Sequence, residues 1–143
     1  MKCSSCPDMQ QRLLGVMRIV LAFLFLQHGT AKLFGFPHVG MFDGPLSPLI
    51  FTAGLLEVLG GFMLLAGFMT RKVSFVLSGL MAAAYFIGHM GKGFLPLLNG
   101  GELAVVYCFV FLFLSVAGGG AFSLDNRLCK KAAPADCKDG TCA

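Results

Sequence analysis

H-M-G-K-G-F-L-P-L-L-N-G-G-E-L-A-V-V-Y-C, residues 89–108, is the stretch that decides how the rest of the chain is read. It interrupts two strongly apolar segments with His89, Lys92, Pro96, Asn99, the Gly100-Gly101 pair and Glu102. Proline and paired glycines end one helix, and an acidic residue suits the positive end of the next helix's dipole. The stretch is therefore a connector between two apolar helices, with more polar chemistry than a turn requires.

Outward from it, apolar residues fall in four blocks of near membrane-spanning length. The chain has 143 residues, 57% of them hydrophobic and only 13% charged. A soluble domain carries roughly 25% charged residues, so this chain has too little polar surface to cover a globule in water. The blocks match the ~30 Å hydrocarbon layer of a bilayer. The predicted fold is all-α, a polytopic membrane protein with four transmembrane helices in one bundle. The helices are expected at about 13–34, 49–69, 73–90 and 102–117. Residues 1–12 and 121–143 then form an N-terminal tail with cysteines and a Cys-rich C-terminal tail, polar and mobile, flanking a membrane domain over 13–120. Arg18 within the first block, with no cleavage site after it, argues for a retained helix rather than a signal peptide.

The net charge of +4 suggests topology rather than nucleic acid. Lys2, Arg12, Arg71, Lys72, Arg127, Lys130, Lys131 and Lys138 fall on one side, against Lys32 and Lys92 on the other. Basic residues accumulate on cytoplasmic segments, so both termini and the turn near residue 70 are expected in the cytoplasm.

Ionisable residues inside an apolar helix are costly and point to a functional site. On the first helix Arg18, His28 and Lys32 share a face, with Arg18 and Lys32 expected to snorkel to opposite interfaces. His38, in the following loop, reads as exposed and is given no role. Glu57 lies on a stripe with Ala53 and Gly61, and it must be protonated, paired or hydrated. Pairing with His28 or Lys32 would lock two helices together, whereas a free carboxyl could exchange protons. On the third helix Ser74, Ser78, Tyr85 and His89 form a polar seam. In the four-helix topology His28, Glu57, His89 and Glu102 all reach the outer leaflet. Two carboxylates and two imidazoles there could exchange protons with a quinone or another small redox molecule. A bis-histidine haem, which would need His28 and His89 to face each other across the bundle, and a di-iron site, which lacks its Glu-x-x-His spacing, fit less well.

Five cysteines lie on the tails: Cys3, Cys6, Cys129, Cys137 and Cys142. The Cys3-x-x-Cys6 spacing suits a dithiol or half a metal site, and the two tails could meet to hold one metal. Inert thiols in a reducing cytoplasm are the plain alternative. Cys108 reads as a small core residue.

The segments R-I-V-L-A-F-L-F-L-Q-H-G-T-A-K-L-F-G-F, G-L-L-E-V-L-G-G-F-M-L-L-A-G-F-M-T-R and H-M-G-K-G-F-L-P-L-L-N-G-G-E-L-A-V-V-Y-C, with the later S-L-D, resemble the DoxX family. The resemblance implies a small four-helix protein of the bacterial inner (plasma) membrane. Relatives include membrane subunits of thiosulfate:quinone oxidoreductases and proteins linked to quinone stress and thiol balance. It also implies that His28, Lys32, Glu57, His89, Asn99 and Glu102 occupy the family's polar motif positions. His28, Glu57, His89 and Glu102 are then the candidate proton-exchanging groups, and Lys32, Tyr85 and Asn99 the candidate ligand contacts. The expected function is a membrane subunit that binds quinone and works with a partner oxidoreductase or as a homo-oligomer, since no nucleotide-binding motif is present. A non-enzymatic scaffold or assembly factor is the alternative, and a transporter fits less well. The expected partners are the lipid bilayer and that oxidoreductase, with no nucleic acid.

Overall fold

A computed structural model describes residues 7–40 and 44–132. Among these residues every regular element is helical: α1 (Pro7–Phe34), α2 (Pro48–Ala66), α3 (Thr70–Ala84), α4 (Pro96–Asn99), α5 (Glu102–Ala117) and α6 (Leu124–Ala132). Three helical segments are long and apolar enough to cross a membrane: Asp8–Phe34, Pro48–Ala66 and Thr70–Lys92. Glu102–Ala117 is equally apolar in character but shorter.

Local chemistry sets the boundaries. Ser47 caps α2, its hydroxyl accepting from the Ile50 amide, and Pro48 sits in the first turn where no N–H is needed. Gly67, at φ 69°, closes α2 by donating to Leu64 O at 3.0 Å, while Phe68 N reaches Met63 O at 2.9 Å. The third span is not α-helical throughout. It widens into a π-helical turn over Tyr85–His89 and then tightens into a 3-10 turn over Met90–Lys92.

The helices pack chiefly as two pairs, α1 along α2 and α3 along α5, with α2 and α3 joining them. Ala22 and Phe25 of α1, Leu64 of α2, Leu77 and Met81 of α3, and Tyr107, Phe111 and Leu114 of α5 form the buried core. Phe25 meets Phe111 edge-on at 4.9 Å and Tyr107 at 5.3 Å, arrangements that add to simple burial. Gly29 makes the α1–α2 approach possible, since a Cβ there would stand 2.8 Å from Val58 Cγ2 and 2.9 Å from its backbone nitrogen.

Two sequence expectations are corrected here. Arg18 does not snorkel: it is fully buried, and its guanidinium binds backbone carbonyls from two distant segments. Nε donates to Gly119 O at 2.8 Å, Nη1 to Leu65 O at 2.8 Å and also to Leu64 O, and Nη2 to Phe122 O at 3.0 Å. The cation so placed meets the negative end of the α2 dipole and the carbonyls of its last turn. Nor is the chain after residue 120 simply a tail. Residues 124–132 are helical, and Asp125 at their start accepts from Met69 N and Thr70 N, both at 2.8 Å. That carboxylate caps α3 and holds Met69 in its left-handed conformation, φ 48°. The S-L-D sequence thus ties the end of α5 to the α2–α3 turn.

Candidate functional site

Glu57 sits in the middle of α2, 1% exposed, on the face turned to α1. Its Oε1 receives the Lys32 ammonium at 2.5 Å, which joins α1 to α2 through an ion pair. Lys32 therefore turns inward rather than snorkelling, because a buried carboxylate about two and a half turns from either end of its helix gains most from the nearest cation. Oε2 of Glu57 has no hydrogen-bond partner within the protein, which leaves the carboxylate half satisfied.

Beside this pair lies a cavity of about 560 Å³. Its volume falls within the ~300–1,000 Å³ of small-molecule pockets, and its wall is mostly apolar with a few converging polar groups, as such sites require. His28, Lys32, Glu57, His89, Gly100 and Tyr107 contribute to the wall, so α1, α2, α5 and the end of the third span all reach it. His28 stands edge-on to Tyr107, with ring centres 6.0 Å apart.

The structure thus gathers His28, Lys32, Glu57 and His89, four of the residues singled out from sequence, around one space. Glu102 is not among them. It is exposed at the first turn of α5, where Leu103, Ala104 and Tyr107 face the cavity instead. At 100° per residue, Ala104 and Tyr107 lie about 200° and 140° around the helix from Glu102, on its far side. Of the expected two carboxylates and two imidazoles, Glu57, His28 and His89 line the cavity, with the Lys32 ammonium beside them.

Tyr85, on the π-helical turn of the third span, and Asn99, in the connector, also lie outside the cavity wall. Tyr85 OH donates to Phe94 O, and Asn99 Nδ2 donates to Gly93 O at 2.7 Å. Asn99 Oδ1 accepts from Gly101 N at 2.8 Å, and the Asn99 carbonyl lies 3.2 Å from His89 Nδ1. These contacts fix the connector and turn His89 toward the bundle.

Tyr107 is the wall residue that the sequence reading missed. The available signal was its rarity, as one of two tyrosines beside 15 phenylalanines, within a helix where phenylalanine would pack as well. Cys129 is disulfide-bonded, so its sulfur is not a metal-binding thiolate in this structure. Cys3, Cys6, Cys137 and Cys142 lie outside the described residues. Among the described residues no three or more His, Cys, Asp or Glu side chains gather as metal ligands would. Cys108 is a free, half-buried thiol whose carbonyl accepts from Ser78 Oγ at 2.8 Å, linking α5 to α3.

Comparison with known proteins adds the family. The sequence model of the DoxX family matches residues 13–90. An uncharacterized protein of Haemophilus influenzae is 44% identical over 124 residues, covering 82% of this chain and 92% of that protein. The inner membrane protein YqjF of Escherichia coli is 32% identical over 124 residues, covering 81% of this chain and 92% of that protein. No solved structure matches the chain.

Proposed function

The chain belongs to the DoxX family and is a multi-pass inner-membrane protein; from that premise we propose that it binds a quinone or a similar small redox molecule in the cavity beside Glu57. The observation that carries this reading is the cavity itself: mostly apolar, about 560 Å³, with a buried carboxylate whose Oε2 lacks a partner. An apolar wall suits a ring or short tail. The few polar groups suit carbonyl or hydroxyl oxygens whose protonation changes with redox state.

In this proposal Lys32 holds Glu57 in place, while Glu57 and His28 take or give protons at the ligand's oxygens. His89, oriented by the Asn99 carbonyl, guards the connector side. A partner oxidoreductase supplies or removes the electrons. The four-helix count and cytoplasmic termini belong to the same proposal, with Glu102–Ala117 as the fourth crossing. The excess of Lys and Arg on the terminal segments and at Arg71-Lys72 supports that orientation, and it puts the cavity in the outer leaflet.

A titration of purified protein with a short-tailed ubiquinone analogue tests this. Wild type should bind, and Glu57→Gln and His28→Ala should each bind at least several-fold more weakly. Equal binding by all three would remove the site.

One observation favours a second reading, a non-enzymatic scaffold or assembly factor. The Lys32–Glu57 pair bridges α1 and α2 beside the close approach at Gly29, as a packing lock would. In that case Glu57→Gln lowers thermal stability in detergent without any separate loss of ligand binding.

A further inference from the structure

The connector between the third span and α5 presents the most exposed run of large apolar side chains that the polar seam supports. Phe94 is 72% exposed, Leu95 58%, Leu97 73% and Leu98 76%. Such a contiguous run on a soluble surface would mark a docking site. Here it belongs to the same end of the bundle as the cavity, whose wall includes Gly100 and also Pro37 and Val39 of the other connector. At that end Phe34 and Phe36 are 71% and 77% exposed. The two connectors therefore form an apolar collar around the cavity end.

Two further observations say what covers the collar. The first is length: α5 has 16 residues, so it rises about 24 Å, roughly 6 Å short of the ~30 Å hydrocarbon layer. The missing depth lies at one end of α5, and the apolar connector stands immediately before Glu102. The second is the state of the connector's backbone. Lipid tolerates irregular chain only where its polar groups are satisfied by the protein. Phe94 O receives Tyr85 OH, and Gly93 O receives Asn99 Nδ2. Leu95 O accepts from Leu98 N and Asn99 N, at 3.0 and 3.1 Å, and Pro96 O accepts from Gly101 N at 3.1 Å. Gly93 N donates to Met90 O, Gly101 N also reaches Asn99 Oδ1, and Pro96 has no N–H to satisfy. These bonds lower the cost of placing the connector's carbonyls in an apolar layer.

We propose that residues 94–98 form an interfacial wedge, immersed at the boundary between lipid headgroups and acyl chains, and that Tyr85 and Asn99 favour the immersion by pairing the carbonyls of Phe94 and Gly93 at its start. The partner is the bilayer itself. The exposed Lys92 sits beside the wedge, where its ammonium can reach lipid phosphates. The proposal does not depend on which molecule the cavity binds.

The chain contains no tryptophan, so one introduced indole reports alone. Leu97→Trp and Phe36→Trp place it at largely exposed positions, and each variant is reconstituted in phosphatidylcholine vesicles. Lipids brominated near the carbonyl end of the acyl chains should quench both variants more strongly than lipids brominated near the methyl end. Aqueous acrylamide should quench little. Strong acrylamide quenching with no bromolipid effect would put the wedge in water and overturn the proposal. Protection from both quenchers would put a second protein copy over the collar and also overturn it. Adding Tyr85→Phe to Leu97→Trp should at least double acrylamide quenching, because the freed Phe94 carbonyl draws the wedge toward water. No change on that addition would refute the role given to Tyr85.

Discussion

Replacing Arg18 by methionine tests the buried guanidinium, which links the α2 C-terminus to the segment after α5. Methionine keeps much of the apolar stem and removes every donor. The Leu65, Gly119 and Phe122 carbonyls each lose a bond of 2.8–3.0 Å, and Leu64 O loses one of its partners. Leaving a buried acceptor unsatisfied costs about 1–3 kcal/mol. Three such losses, softened because this end of the bundle lies near water, give roughly 3–5 kcal/mol. Leu64 O keeps its bond from Gly67 N and adds little. Arg18→Lys should recover only part, since an ammonium cannot span carbonyls on two segments as a planar fork does. Unfolding by sodium dodecyl sulfate in mixed micelles, followed by helical circular dichroism, measures the difference. Trypsin cleavage at Arg127 should accelerate in the methionine variant, as the segment carrying Asp125 loses its hold. A loss within about 0.5 kcal/mol, the range of a surface change, would refute the buried role of Arg18.

Other substitutions probe the remaining contacts, with the same unfolding assay unless stated. Asp125→Ala removes the acceptor for Met69 N and Thr70 N and should cost about 1–2 kcal/mol, as the loss of a helix cap does. Gly29→Ala should destabilise by about 1–3 kcal/mol because its methyl meets Val58 and Glu57 Cβ within 3.0 Å. Gly79→Ala meets nothing within 4 Å and should be neutral or stabilising by up to about 1 kcal/mol. Lys32→Met strands a buried carboxylate at a cost of about 3–5 kcal/mol, and the double change Lys32→Met with Glu57→Leu should recover most of it. A double variant no better than the single one would show that the pair does more than neutralise charge.

How much of this was readable in the sequence depends on how far apart the interacting residues are. The α5 boundaries, Glu102 and Ala117, follow from signals beside them: Gly100-Gly101 before and the Gly118-Gly119-Gly120 run after. The pairing of Glu57 with Lys32 was among the outcomes named for an intramembrane carboxylate, although Lys32 was itself expected to snorkel. Arg18 was misread because position and hydropathy are local. What buries it are carbonyls 46 to 104 residues away, supplied by backbone that carries no sequence signal. Helix α6 was hidden by its polar composition, which resembles a tail until Asp125 is seen to cap α3. Tyr85 and Asn99 were recognised as unusual polar residues for a membrane edge. Their contacts with Gly93 and Phe94 depend on the conformation of a connector built from irregular turns, which periodicity does not describe. Glu102 shows the converse: its direction away from the cavity follows from the helical wheel once the inward face of α5 is fixed by Tyr107.

The central claim is that a small redox molecule occupies the cavity beside Glu57. It is tested most directly by photolabelling the protein in membranes with an azido-quinone and mapping the modified residues by mass spectrometry. The account predicts labels on wall segments that are distant in sequence, around Pro37–Val39, Ile87–His89 and Leu103–Tyr107, suppressed by excess unlabelled quinone and weakened in Glu57→Gln. Labels confined to outward-facing residues such as Phe75 and Phe109, unchanged by competitor, would contradict it.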